Sequence, residues 1–304
     1  MNQIPVLFTS EMAAHADSFS PSAGKPVDVV QSWRRLGVPC DFRQPNPVTT
    51  AQLCMAHEKA YVDAVLSCRA NNGFGNRSRA VAESLPYTSG AMLSAARMAV
   101  ENQNVAVAPC SGFHHAGWSF GGGYCTFNGL MVTACELRRD GDGRHIGILD
   151  FDQHWGNGTH NIIEKLNAAK WVTHYSPTSD YGVPDASEAF LAAIPELLSR
   201  FDRCDVVLYQ AGADQHIDDP LGGWLTTDQL YRRDLAVFGV LKAMAVPVAW
   251  NLAGGYQEPL RKVLDIHDNT MRACHAVYAH AIADGQWPSC QLEFASNVGV
   301  VGRT

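Results

Sequence analysis

The feature that most constrains this chain is an alternation. Short runs rich in Val, Ile and Leu recur between longer segments of helical periodicity. The runs are Val6–Phe8, Val105–Ala108, Ile146–Phe151, Trp171–His174, Val206–Gln210 and Val246–Leu252. Continuous apolar runs of this length fit strands buried on both faces. Helical stretches lie between them: Ser89–Glu101, with Met92, Ala95, Ala96 and Ala99 on one face, then Asn128–Arg139, Thr159–Ala169, Ser187–Arg200 and Thr226–Ala245. Strand followed by helix, repeated, predicts the α/β class, a parallel sheet wrapped by helices through right-handed crossovers. Ser18–Pro26 and Asn71–Ser78 are rich in Gly, Ser, Pro or Asn and read as loops, but composition does not change across them. One domain over residues 1–304 is therefore expected, with 46% hydrophobic residues to fill its core. The segment beyond Trp287 is expected to be extended, lying on the core or on a neighbour.

Charge and cysteine usage narrow the function. The formal net charge is -7, with 23 Lys and Arg against 30 Asp and Glu. A field of that sign disfavours nucleic-acid backbones, which need clustered cations. No apolar run reaches the about 18 residues that span a bilayer, so no membrane partner is expected. The nine Cys include no C-x-x-C pair. That argues against a zinc ribbon or redox motif and for reduced, buried thiols in a cytoplasmic protein. The N-terminal MNQIPVLFTSEM lacks the basic and apolar regions of a signal peptide.

Ligands of open α/β sheets bind beyond the carboxyl ends of the strands. Four of the predicted strands end in ionisable groups beside glycines: His114-His115, Asp150-Phe151-Asp152-Gln153-His154, Gly212-Ala213-Asp214, and Gly254-Gly255-Tyr256. Strand alternation would turn Asp150, Asp152 and His154 to one side. With Asp214 from another strand end, Asp152 and His154 make an open three-ligand divalent-metal site. The ordinary alternative has Asp150 capping a helix and His154 packed in a turn. The tandem imidazoles suit acid/base work on an activated water, although one core and one exposed His would read the same way. Tyr256 is either a rim aromatic or a phenol aimed at a developing oxyanion. Gly121-Gly122-Gly123 matches neither the phosphate loop nor the dinucleotide fingerprint, so nucleotide binding is not expected.

These motifs, in this order, resemble the histone deacetylase family, which shares its fold with arginases. The resemblance runs from about Glu11 to Tyr256. It includes His114-His115-Ala116, the Asp150–His154 segment with Gly156-Asn157-Gly158-Thr159, and Gly212-Ala213-Asp214 with Asp219-Pro220-Leu221-Gly222-Gly223. It also includes Leu252-Ala253-Gly254-Gly255-Tyr256, Gly123-Tyr124-Cys125 and, more weakly, His57 to Tyr61 and Tyr87-Thr88-Ser89-Gly90. The resemblance implies a sheet of about eight strands. It implies one zinc ion on Asp152, His154 and Asp214, His114 paired with Asp150, His115 paired with Asn157, and Tyr256 on the oxyanion. It further implies a structural potassium ion on the Asp150 carboxylate and the carbonyls of Asp150, Asp152 and His154. Gly123, Tyr124 and Leu221 would line the substrate tunnel.

Departures from the family pattern are Phe113, Gln153, Trp155 and Asn157, the last resembling the class II branch. None removes a proposed ligand or catalytic group. The activity implied is hydrolysis of an acyl amide, acetyl foremost, on a lysine-like or polyamine nitrogen. The partner would be a small acylated amine or an acyl-lysine peptide, and homo-oligomerisation is left open. Leu221 stands where a Glu marks a polyamine-selective branch, which leans toward acyl-lysine or a small acylated amine. Two other readings remain: an arginase-like dinuclear manganese ureohydrolase, and a non-catalytic acyl-lysine binding protein.

Overall fold

A computed structural model describes residues 3–176 and 181–279. The extended tail expected beyond Trp287 lies outside the described residues. One sheet of seven strands runs through the chain, in the order β2-β1-β3-β7-β6-β4-β5. Its members are β1 (Ile4–Leu7), β2 (Cys40–Arg43), β3 (Val105–Val107), β4 (Ile146–Asp150), β5 (Val172–Tyr175), β6 (Val206–Gln210) and β7 (Val248–Asn251). Every pairing is parallel. The α/β class is as expected, whereas the sheet has seven strands among the described residues rather than about eight.

Helices cover both faces. They are α1 (Lys25–Arg35), α2 (Thr50–Leu53), α3 (Lys59–Leu66), α4 (Arg79–Asn102), α5 (Gly129–Asp140), α6 (Asn157–Lys165), α7 (Ser187–Leu198), α8 (Thr227–Ala243) and α9 (Arg261–Tyr278). The sheet divides the apolar interior into two cores, because successive side chains of a strand point to opposite faces. Val105, Val107, Val207, Tyr209, Val248 and Trp250 face α1, α7, α8 and α9. Ala106, Val206, Leu208 and Ala249 face the core built on α2 to α6. This two-sided burial is why the strands read as unbroken apolar runs. No helix among the described residues is long and apolar enough to cross a membrane.

Two helix starts differ from the sequence reading and one strand was not read, each for a physical reason. The helix expected at Ser89 starts at Arg79 and runs through Pro86. A helical proline forfeits one backbone bond, about 3 kcal/mol. Here Val81, Ala82 and Leu85 are buried on the preceding turn, and the Pro86 carbonyl still accepts from Val48 N at 3.0 Å. Helix α1 opens inside the expected loop, with Pro26 in its first turn, where the missing N–H costs nothing. β2, at the sheet edge, is half-buried and polar in sequence, so it shows no apolar run.

Candidate active site

β3, β7, β6 and β4 are consecutive in the sheet, and each delivers one chemistry-bearing segment past its carboxyl end. The strand-alternation argument for Asp150, Asp152 and His154 is corrected by the structure. β4 stops at Asp150, and the next residues leave the sheet. What turns them inward is a chain of side-chain-to-backbone bonds: Asp152 N donates to Asp150 Oδ1 at 3.2 Å, and His154 N to Asp152 Oδ1 at 3.0 Å. Short acidic side chains favour such local turns.

Asp152, His154 and Asp214 present ligand atoms all within 4.8 Å of one another, the one such cluster among the described residues. His154 Nδ1 lies 3.2 Å from Asp152 Oδ1 and 3.3 Å from Asp214 Oδ2. Asp152 Oδ2 accepts from Gly254 N at 2.9 Å, and Asp214 Oδ1 from Gln153 N at 3.2 Å. Asp214 Oδ2 is buried and has no hydrogen-bond donor. Burial and the neighbouring Asp152 push the Asp214 carboxyl up to about 7. Burial also opposes charge on Asp152, but His114 and His154 hold it low. The Asp152 carboxylate, hydrogen-bonded to its Nδ1, and then the Asp214 carboxylate facing it hold His154 up, at about 10. Two buried carboxylates sharing one position need a cation between them. One nitrogen and two oxygens of this spacing fit a divalent ion, whose binding would displace the proton from the ligating His154 nitrogen.

The tandem His splits. His114 is 2% exposed, and its Nδ1 meets Asp150 Oδ2 at 2.7 Å. Burial opposes its charge, but Asp150, Asp152 and Asp214 outweigh burial and raise it to about 9. Asp150 is steadied in turn by Gln210 Nε2 on its Oδ1 at 2.8 Å. His115 is half-buried, and its Nδ1 donates to Asn157 Oδ1 at 2.6 Å. Burial, then the neighbouring His114, lowers its pKa. Gly123 borders His115 so closely that a Cβ there would stand 2.3 Å from the imidazole Cδ2.

Tyr256 closes the fourth side. Its ring is buried, 5.6 Å from that of Tyr124, and burial followed by the Asp152 and Asp214 charges keeps its phenol protonated. Its backbone N–H donates to Asp219 Oδ2 at 2.8 Å, and Asp219 Oδ1 accepts from Leu221 N at 3.0 Å. The Leu221 loop is thus fastened to the tyrosine loop, with Leu221 itself 38% exposed. Trp155 is also exposed, stacked loosely near His160 and His174 rather than in the triad.

Several contributors were given no site role from the sequence. Lys25 is fully buried, and its Nζ donates to the Ala253 carbonyl at 2.7 Å and more weakly to that of Gly254 at 3.3 Å. Burial pulls its ammonium down to about 8 against the opposing pull of Asp214, Asp152 and Asp219. Gln210 joins two strand ends, because its Oε1 also accepts from Phe113 N at 3.0 Å. Its place at a strand end was the available signal. His57 braces the other side of the tandem-His loop, with Nδ1 on the Gly117 carbonyl and Nε2 accepting from Asn128 N, both at 2.8 Å.

A parallel α/β sheet that gathers a carboxylate–imidazole–carboxylate cluster, paired imidazoles and a phenol at one edge defines a hydrolase-type centre. The chain belongs to the histone deacetylase family: it matches the histone deacetylase domain over residues 24–181, just over half its length. An uncharacterised protein of Picosynechococcus sp. is 29% identical over 258 residues, 77% of this chain and 85% of that protein. The acetylpolyamine amidohydrolase of Mycoplana ramosa is 38% identical over 155 residues, 48% of this chain and 39% of that enzyme. The crystal structure of the HDA15 HD domain superposes with a TM-score of 0.72 at 21% identity, covering 89% of this chain and 90% of that one. At that identity the superposition speaks for the fold.

Proposed function

We propose that this chain hydrolyses an acyl amide, acetyl foremost, on a lysine-like or polyamine nitrogen, with one zinc ion held by Asp152, His154 and Asp214. The observation that carries the reading is the buried, donor-less Asp214 Oδ2 within a three-ligand cluster, beside two imidazoles whose partners differ. Bound zinc would supply Lewis-acid polarisation of the amide carbonyl and a water whose pKa is lowered toward about 7.

The chain's own groups supply the rest. His115 donates from Nδ1 to Asn157, which leaves Nε2 as an acceptor for the proton of the attacking water. The same Nε2 can then protonate the departing amine. His114, clamped by Asp150, supports the developing charge or shares the proton work with His115. The protonated phenol of Tyr256 donates to the carbonyl oxygen as it becomes an oxyanion. Gly123 and Tyr124 form a tunnel wall against His115 and Tyr256. Leu221 presents an apolar side chain at the mouth, which favours an alkyl chain over a free cation at that point. The acetylpolyamine amidohydrolase among the relatives keeps polyamine amides within the substrate class.

A structural potassium ion at Asp150 and the carbonyls of Asp150, Asp152 and His154 belongs to the same proposal. Ser176 supports it. Its buried Oγ has no hydrogen-bond partner among the described residues, and it follows Tyr175, which registers against Leu149, the residue before Asp150.

The test is turnover of an acetyl-lysine peptide, acetylputrescine and acetylspermidine by zinc-loaded protein, with metal content measured. Hydrolysis of at least one, with one zinc per chain and a loss of ~100-fold or more in Tyr256→Phe, is expected. Two manganese ions per chain with activity on a guanidinium substrate would replace this reading with the ureohydrolase one. Binding of acyl-lysine without turnover would replace it with the binding-protein one.

A further inference from the structure

Beneath the carboxyl ends of β4 and β6 lies a charged group that the chemistry above does not use. Arg233, on α8, is fully buried. Such a charge is tolerable only when it is paired and its N–H groups find acceptors. Its Nε donates to Asp234 Oδ1 at 2.9 Å, and Nη2 lies 2.8 Å from the same oxygen as an ion pair without a hydrogen bond of its own. Asp234 accepts in turn from the Tyr209 hydroxyl at 2.5 Å and the Thr270 hydroxyl at 2.6 Å, which anchors the ion pair to β6 and α9. Nη1 points the other way. It donates to the Gly212 carbonyl and Gln215 Oε1, both at 2.8 Å, and to the Phe151 carbonyl at 3.3 Å.

Those acceptors lie where the β4–β6 ladder ends. Its last registered pair is Asp150 with Gln210, followed by bonds from Phe151 N to the Gln210 carbonyl and from Gly212 N to the Phe151 carbonyl. Past that point the two segments carry Asp152 and Asp214, whose buried carboxylates repel each other with no ladder to hold them in register. We infer that Arg233 is a positioning residue for the metal triad: its Nη1, held in place by the ion pair at the other end of the guanidinium, ties the peptide before Asp152 to the Gly212–Gln215 segment that carries Asp214, and so fixes how far apart the two carboxylates stand. The inference rests on the metal reading above. A planar guanidinium can span both segments while keeping its ion pair, which the single ammonium of a lysine cannot.

The experiment is zinc affinity of the full chain, by competition with a chromophoric chelator, alongside thermal unfolding of the metal-free protein. R233K keeps the charge and loses the planar guanidinium. It should bind zinc ~10-fold or more weakly, in the range seen when outer supports of a metal site are removed. A purely structural role would lower the metal-free melting temperature and leave zinc affinity alone. The double variant Arg233→Leu with Asp234→Leu removes both charges together and repeats the test should R233K not fold. D214A marks the floor of zinc binding. Wild-type affinity in either folded variant, or failure of both to fold without metal, overturns the inference and leaves the metal reading standing. Equal zinc binding by wild type and D214A overturns both.

Discussion

His114 and His115 are neighbours in the chain, with rings 4.0 Å apart, yet their surroundings drive them in opposite directions. His114 is the more buried of the two, and burial disfavours an imidazolium, but three carboxylates raise it to about 9. His115 faces a neutral amide, so burial and its charged neighbour prevail and its pKa falls. His57 completes the series: buried with only backbone partners, it drops to about 4. The lesson is that burial alone neutralises an imidazole, and a carboxylate partner is needed to reverse the effect. Two adjacent residues of the same type are thus shifted in opposite directions, as an acceptor and a charge-bearing group would need.

The sharpest way to break this division is to remove each ring. His115→Ala should lower kcat/KM of the zinc-loaded protein by ~10²–10⁴-fold, and His114→Phe by less. Equal losses would mean that the two share the proton work. The next largest effect tests the carboxylate-free member. His57 contributes stability that is fully present above its unfolded pKa of about 6.5 and is lost as pH falls toward its folded value of about 4. Between pH 7 and pH 5 that loss is about 2 kcal/mol. Urea unfolding of wild type and His57→Gln at both pH values should show a smaller fall in the variant, and parallel falls would contradict it. The finest test exchanges the partner. Asn157→Asp should raise the His115 pKa and move the acid limb of the kcat/KM profile upward by about one unit. An unmoved limb would show that the amide is not what keeps His115 neutral.

The sheet was legible because strands buried on both faces announce themselves as apolar runs. β2 was not, since an edge strand of sequence Cys-Asp-Phe-Arg carries no such run. The cluster at the strand ends could be read from ionisable residues placed beside glycines. Its internal arrangement could not. Alternation would set Asp150 beside Asp152 and His154, whereas the strand ends at Asp150 and its side chain turns to His114. Lys25 and Arg233 escaped altogether, because nothing in a Gly-Lys-Pro or Arg-Arg-Asp sequence says that the charge will be fully buried. Burial of a long cationic side chain is decided by elements that arrive from elsewhere in the chain: the Ala253–Gly254 backbone for Lys25, and the ends of β4 and β6 for Arg233.

Gly254 has a consequence for how this centre can vary. Its amide bonds to Asp152, its carbonyl accepts from Lys25, and a methyl group on its Cα would sit 2.1 Å from Asp214 Oδ2. The turn that presents Tyr256 and the carboxylates that would grip the proposed ion therefore share one atom's width of space. Here an alanine substitution and the loss of a ligand would be the same lesion, and loop and ion site can drift over generations only in step.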